Sequence, residues 1–242
     1  MAEKILVHQK TGKQWLIRDT DKDFHTQYGA VTKKDIKRKS GSCFQNKQKC
    51  KFMILEASFI DRFMRLKRKA QVILPKDAAI ILAMTGADST TRVVDAGGGS
   101  GWLTCFLANY VKQVYSYDIV DAHIKVIKDN VERLGFTNVK VKKHDIYTSI
   151  PVKPDLLTLD VPEPWRVLPL AKEKVKKGGY VVCYSPSISQ SQGTVNAATE
   201  LGLLVLDTVE VRLRSWDIAG RKVRPKRDEI GPTGFLTFIR II

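Results

Sequence analysis

The segment VVDAGGGSGWLTCFLANY, Val93–Tyr110, ends an apolar run in an acid, breaks into glycines and restarts as a helical run. A glycine lacks the Cβ that blocks positive φ and close approach, so Gly97, Gly99 and Gly101 predict a tight turn under a ligand. Asp95 falls at the carboxyl end of the strand, the edge at which open α/β sheets bind ligands. A second strand over Gln113–Tyr117 closes on Asp118, an acid suited to a ribose diol. Dinucleotides and S-adenosylmethionine both carry that ribose. A pyrophosphate calls for the free N–H groups and positive dipole of a helix start. S-adenosylmethionine has no phosphate, and its ammonium favours an acid such as Asp95. The acid directly before the glycines therefore points to the methyl donor. A structural loop capped by Asp95 stays open as the plain alternative, and a nicotinamide oxidoreductase is the weakest choice.

Two more acids fall at strand ends. Asp145, in KKHDIY, suits the exocyclic amino group of an adenine lying across the strand ends, and equally a turn. Asp160, in LTLDVPEPW, ends an apolar strand ahead of two prolines. Pro162 and Pro164 fix φ and restrict the residues before them, so the loop holding Asp160 is stiff. Trp165 suits core packing better than a stacking surface for a base.

These acids need a sheet to carry them. Lys4–Val7 and Gln14–Ile17 read as strands around the turn Lys10-Thr11-Gly12, Lys51–Leu55 as a strand, and Ser58–Leu66 as helical spacing. A boundary near Arg68 separates this small β-rich domain, 1–68, from 69–242. Beyond it helices are expected at Pro75–Thr85, Gly101–Val111, Ala122–Leu134, Val167–Lys176 and Val195–Leu201. Strands are expected at Arg92–Asp95, Gln113–Asp118, Val139–Lys142, Leu156–Asp160 and Tyr180–Tyr184. This alternation implies an α/β fold with a mostly parallel sheet covered on both faces. Leu203–Leu213 and Gly234–Ile241, with no helical pattern between them, read as an antiparallel pair.

Composition bounds the partners. The 242 residues include 41 Lys and Arg against 25 Asp and Glu, a net charge of +16. Basic residues cluster at Lys33–Lys39, Lys47–Lys51, Arg62–Lys69, Lys140–Lys143, Lys172–Lys177 and Arg221–Arg227, as a phosphate backbone would require. No hydrophobic span suits a membrane helix, and the start MAEKILVHQK lacks the apolar core of a secretion signal, so a cytoplasmic protein is expected. Cys43, Cys50, Cys105 and Cys183 form no CxxC pair, so no metal site is expected. Cys105 and Cys183 read as core residues, whereas Cys43 and Cys50 suit either a bridge or free thiols.

The chain resembles the tRNA (adenine-N1)-methyltransferases, in particular the archaeal and bacterial type built from one kind of subunit. The resemblance rests on DFHTQYG at Asp23–Gly29, QVILPKDAAII at Gln71–Ile81, DAGGGSG at Asp95–Gly101, YDI at Tyr117–Ile119, HDIY at His144–Tyr147, DVPEPW at Asp160–Trp165 and VRPKRDEIGPTGFLTFIR at Val223–Arg240. The glycine loop is common to many methyltransferases; the PKDAA, DxPEPW and PTGFL runs together are far more specific. The resemblance implies a class I Rossmann-like, S-adenosylmethionine-dependent methyltransferase domain with a seven-stranded sheet behind the small β-rich domain. It further implies a homotetramer acting on N1 of a T-loop adenine, at tRNA position 58 and in archaeal members also 57.

On the family pattern Asp95, Gly97, Gly99, Ser100, Gly101, Asp118, Ile119, Asp145 and Ile146 bind the cofactor, and Asp160 borders both cofactor and target base. Pro232 stands where many relatives have a histidine, and Leu74 where others have tyrosine or histidine beside the base. Adenine N1 carries a free lone pair and no proton, so the chemistry needs orientation rather than a strong base. Other readings are a tRNA-binding subunit without catalysis, against which the full set of strand-end acids argues, and a small-molecule methyltransferase of the precorrin kind, against which the charge argues.

Overall fold

The computed structural model describes residues 3–226 and 233–242. The chain divides into two compact units, 1–66 and 67–242.

In the first unit β1 (Lys4–His8) pairs antiparallel with β2 (Gln14–Ile17), forming the hairpin expected around Gly12. Three-residue strands β3 (Phe24–Thr26) and β4 (Gly29–Val31) follow, with a single helical turn α1 (Lys33–Ile36). Then come β5 (Cys43–Gln45), β6 (Lys51–Glu56) and α2 (Phe59–Phe63). The four-stranded sheet runs β2-β1-β6-β5. Alternation puts Leu6, Ile17, Phe44, Phe52 and Ile54 into one core, to which α1 adds Ile36. Ser58 caps α2 in a reciprocal capping box with Asp61, and the helix stops at Phe63, short of the expected Leu66. The short strands β3, β4 and β5 carry too few alternating positions to be read from sequence. Cys43 and Cys50 are free thiols.

The second unit opens with α3 (Pro75–Thr85), β7 (Arg92–Ala96), α4 (Trp102–Ala108), β8 (Gln113–Asp118), α5 (Asp121–Leu134) and β9 (Val139–Lys143). It continues with β10 (Leu156–Leu159), α6 (Leu168–Lys174), β11 (Tyr180–Ser185), α7 (Ile188–Glu200) and β12 (Leu204–Glu210). A hairpin of β13 (Trp216–Ala219) and β14 (Lys222–Pro225) precedes β15 (Phe235–Arg240). The sheet has seven strands in the order β12-β15-β11-β10-β7-β8-β9. β15 runs antiparallel to both β11 and β12, and the other strand pairs are parallel. The fold class expected from sequence is therefore the one observed. β7 and β10 are buried along almost their whole length, as central parallel strands must be, and α4 is buried all round.

Several bounds shift. α7 starts at Ile188 rather than Val195, because Ser187 caps it and small residues, Ser191, Thr194 and Ala198, form its buried face instead of an apolar stripe. The helix expected over Val167–Lys176 is a 3-10 turn, Pro164–Val167, followed by α6. α4 ends at Ala108, and β12 ends at Glu210. The hairpin between β12 and β15 was not expected, and its cross-strand pairs Trp216–Pro225 and Ile218–Val223 share one face. Pro232 lies outside the described residues. Among the described residues no helix is long and apolar enough to cross a membrane.

Candidate active site at the carboxyl edge of the sheet

The glycine loop is built by contact with the next loop over. Asp160 follows β10, and its N–H donates to the Ala96 carbonyl at 2.9 Å. Gly97 sits at φ +80, and a Cβ there would lie 1.9 Å from the Asp160 carbonyl oxygen. Gly98 has no room either, for its Cβ would meet Ile127 and Ser116 at 2.7 Å. Gly99, at φ +55, would place a Cβ in ordinary contact, 3.7 Å from the Gly97 carbonyl oxygen, and Gly101 caps α4 in the left-handed region. The tightest glycine thus serves the approach of two strand ends, a demand that sequence reading had given to the ligand. The Ser100 hydroxyl accepts the Lys69 and Ala70 N–H groups at 2.8 and 2.9 Å, and Asn130 bonds Lys67 and the Ser100 carbonyl. These bonds pin 67–70 against the loop, so the Ser100 side chain is structural.

The four acids differ in surroundings. Asp95 is buried, and its carboxylate accepts from the Thr104 hydroxyl on one oxygen and the Thr158 hydroxyl on the other, the latter at 2.8 Å. Burial holds its carboxyl above the usual range, the two threonines oppose that, and Asp118 adds to it. It lies under the loop beside a niche of about 20 Å³ rather than in the main cavity. Thr158→Val, isosteric but without the donor, is expected to cost about 1–3 kcal/mol of stability at pH 8 in urea unfolding. An unchanged midpoint would mean that Asp95 finds another partner. Asp118 accepts from Val120 N–H and Gly99 N–H, both at 2.8 Å, and pairs with His123 Nδ1 at 3.1 Å. Asp145 is exposed, and its carboxylate accepts the Tyr147 N–H at 2.9 Å, so it makes the local turn and still borders the cavity. Asp160 is half-buried, and burial, followed by the charges of Asp95 and Asp118, pushes its carboxyl up to about 7.

A cavity of about 460 Å³ is bordered by Asp118, Asp145 and Asp160, within the roughly 300–1,000 Å³ range of cofactor sites. Gly97, Gly99, Asp118, Ile119, Asp145, Ile146 and Asp160 line it; Asp95, Ser100 and Gly101 do not. Sequence reading missed Gln71, Tyr117, His123, His144, Tyr147 and Val161, which also line it. Tyr117 and Tyr147 stand in the YDI and HDIY runs, so their signal was present; Gln71 reaches the site only through the pinning of 67–70. The Tyr147 hydroxyl accepts the Glu163 N–H at 3.0 Å, and Gln190 donates to the Pro162 carbonyl at 3.1 Å. The proline loop is thereby held from both sides. Trp165 packs on the core. A cavity of about 330 Å³ lined by Asp155, Lys176, Lys177 and Arg240 lies at the opposite edge of the sheet, where β10 and β11 begin. No cluster of metal-binding side chains occurs among the described residues.

An acid-rimmed, mostly apolar cavity at the carboxyl ends of β7, β8 and β10 suits a cation carrying a nucleoside, and the seven-stranded sheet is that of the S-adenosylmethionine-dependent methyltransferases. A solved structure titled as an S-adenosylmethionine-dependent O-methyltransferase from Thermotoga maritima superposes with TM-score 0.89, covering 100% of this chain and 93% of that one at 26% identity. The tRNA (m1A58) methyltransferase TrmI of Aquifex aeolicus shares the fold with TM-score 0.83 at 20% identity, over 99% of this chain and 96% of that one. Residues 62–226 match the family described as "tRNA methyltransferase complex GCD14 subunit". The tRNA (adenine(57)-N(1)/adenine(58)-N(1))-methyltransferase TrmI of Methanocaldococcus jannaschii is 33% identical over 99% of this chain and 95% of its own length. The chain belongs to this family of tRNA (adenine-N1)-methyltransferases, whose cofactor is S-adenosylmethionine.

Proposed function

We propose that this protein transfers a methyl group to N1 of an adenine in the tRNA T-loop, at position 58 and its neighbour 57. Whole-length similarity to an enzyme named for both adenines supports the reaction. The observation that carries the site is Asp160, a half-buried acid in the cavity wall whose backbone is fixed against Ala96 and Gly97. S-adenosylmethionine, when bound, supplies the methyl as a sulfonium. Asp118 would hold the cofactor's ribose, Ile119 and Ile146 would offer an apolar wall for its adenine, and Asp145 would accept from the adenine amino group. Gly97, Gly99 and Gly101 shape the loop, while Asp95 and Ser100 act from beneath it by fixing Thr104, Thr158 and the segment at 69–70. Asp160 accepts a hydrogen bond from N6 of the target adenine, turning N1 toward the methyl and offsetting the charge that grows on the ring. N1 brings its own lone pair, so no residue need remove a proton. Extruding the base costs about a few kcal/mol.

The net charge of +16 supports tRNA as partner. Part of it is committed elsewhere: Lys176 pairs with Asp155, Lys172 donates to the Leu201 carbonyl, and Lys140, Lys142 and Lys143 lie on the edge strand β9. Edge lysines also guard a sheet against pairing with other chains. The exposed apolar face of the β13–β14 hairpin, with Trp216, Ile218 and Val223, supports contact with a second copy of the chain, as in the homotetramer that the family resemblance implies.

The test is incubation with labelled S-adenosylmethionine and unmodified tRNA transcript, followed by nucleoside mass spectrometry and mapping. N1-methyladenosine in the T-loop is the expected product. A ribose-methylated nucleoside, or cofactor binding without any methylated nucleoside, would overturn the assignment.

A further inference from the structure

At the start of α3 lies a buried ion pair that the cofactor site does not use. The side chains of Lys76 and Asp77 are 7% and 1% exposed, and Lys76 Nζ meets Asp77 Oδ1 at 2.8 Å. The ammonium also donates to the Val211 carbonyl at 2.7 Å and to Thr233 Oγ1 at 3.0 Å, which fills its three donor positions. The Thr233 hydroxyl in turn donates to Asp77 Oδ2 at 2.7 Å. Val211 directly follows β12, and Thr233 stands just before β15, so the pair grips both feet of the excursion that carries the β13–β14 hairpin. Removing one partner of a buried ion pair strands the other charge in the interior, so this pair couples the two segments it holds.

The network also reaches Asp160. Tyr184 donates its hydroxyl to the Thr233 carbonyl. A Cβ on Gly234 would lie 2.5 Å from the Tyr184 ring, so the chain passes directly over that ring. Leu159 pairs with Cys183 across parallel strands, which brings Tyr184 beside Asp160. Burial raises the Tyr184 hydroxyl above its ordinary range, the hydrogen bond to Thr233 opposes that, and the charges of Asp77 and Asp160 add to it. Lys76, Asp77 and Thr233 do not line the cofactor cavity.

We infer that Lys76, Asp77 and Thr233 form a latch that ties Val211 to Thr233, holds Thr233 against Tyr184 beside Asp160, and so positions the acceptor base without touching the cofactor. They are positioning residues, and their effect on turnover rests on the adenine-N1 reading above. Thr233→Val keeps the side chain's shape and removes the bridging hydroxyl, whereas Thr233→Ser keeps the hydroxyl. In the full-length protein, Thr233→Val is expected to bind S-adenosylmethionine within about twofold of wild type, to methylate tRNA at least about tenfold more slowly in single turnover, and to exchange backbone amides over 211–226 at least about tenfold faster. Thr233→Ser should restore both rate and protection to within about threefold. Wild-type exchange in Thr233→Val overturns the latch whatever the substrate, as does loss of cofactor affinity in parallel with methylation. If the wild-type protein methylates no adenine, the reaction assignment fails, and the exchange measurement still decides the latch.

Discussion

Replacing Asp160 with asparagine is expected to lower turnover about 10²- to 10³-fold, the usual cost of losing one charge-stabilising group, while raising the thermal midpoint of the ligand-free protein at pH 8. The two effects share one cause. The Asp160 carboxyl is pushed up to about 7 by burial and by the nearby charges of Asp95 and Asp118. Between the ordinary carboxylate range near 4 and that value, the folded protein holds a proton that the unfolded chain has lost, so stability falls as pH rises through this window. Above pH 7 the folded state carries an ionised group that its surroundings oppose, at a cost of about 2–4 kcal/mol. Asparagine removes that cost, so the gain in midpoint should be full at pH 8 and vanish near pH 4. Asp160 ionises more readily once a cation occupies the cavity beside it. Cofactor affinity of the wild type should therefore weaken by up to about tenfold per unit below pH 7, and the asparagine variant should lack that arm. Equal thermal midpoints at pH 8, or normal turnover in the variant, would remove Asp160 from this role.

The acids and the central sheet were legible because their signals are local. Asp95 and Asp160 each end an apolar run that glycine or proline then breaks, Asp118 closes the strand ahead of the next helix, and parallel strands buried on both faces leave such runs in the sequence. What the sequence did not carry is direction. Nothing local distinguishes Asp95, closed in by Thr104 and Thr158, from Asp118, open to the cavity, since the threonines come from α4 and β10. Nor could it tell that Ser100 turns back to the amides of Lys69 and Ala70, whose partner is 30 residues away. The start of α7 was hidden for a different reason: a helix that buries serine, threonine and alanine presents no apolar period to read. The β13–β14 hairpin was missed because its one apolar face looks outward, where hydrophobic patterning says nothing about a core.

Gly97→Ala is expected to have the largest structural effect of any single methyl group in the loop. The added carbon would lie 1.9 Å from the Asp160 carbonyl oxygen and 2.7 Å from the carbonyl carbon, with φ at +80. Both neighbours are backbone, so no flexible side chain can give way, and either β7 or the Asp160 loop must move. A loss of about 3–5 kcal/mol in stability is expected, together with loss of measurable cofactor binding in calorimetry. Gly99→Ala is the control: its φ is also positive, but a Cβ there meets nothing closer than 3.7 Å. Left-handed strain of about 1–2 kcal/mol is its main cost, and it should keep most cofactor affinity. If the two variants behave alike, the loop needs its glycines for the ligand and not for the neighbouring strand. If Gly97→Ala is far worse, the cofactor loop and the carboxylate facing the acceptor are held together by one backbone contact, and neither can shift without displacing the other.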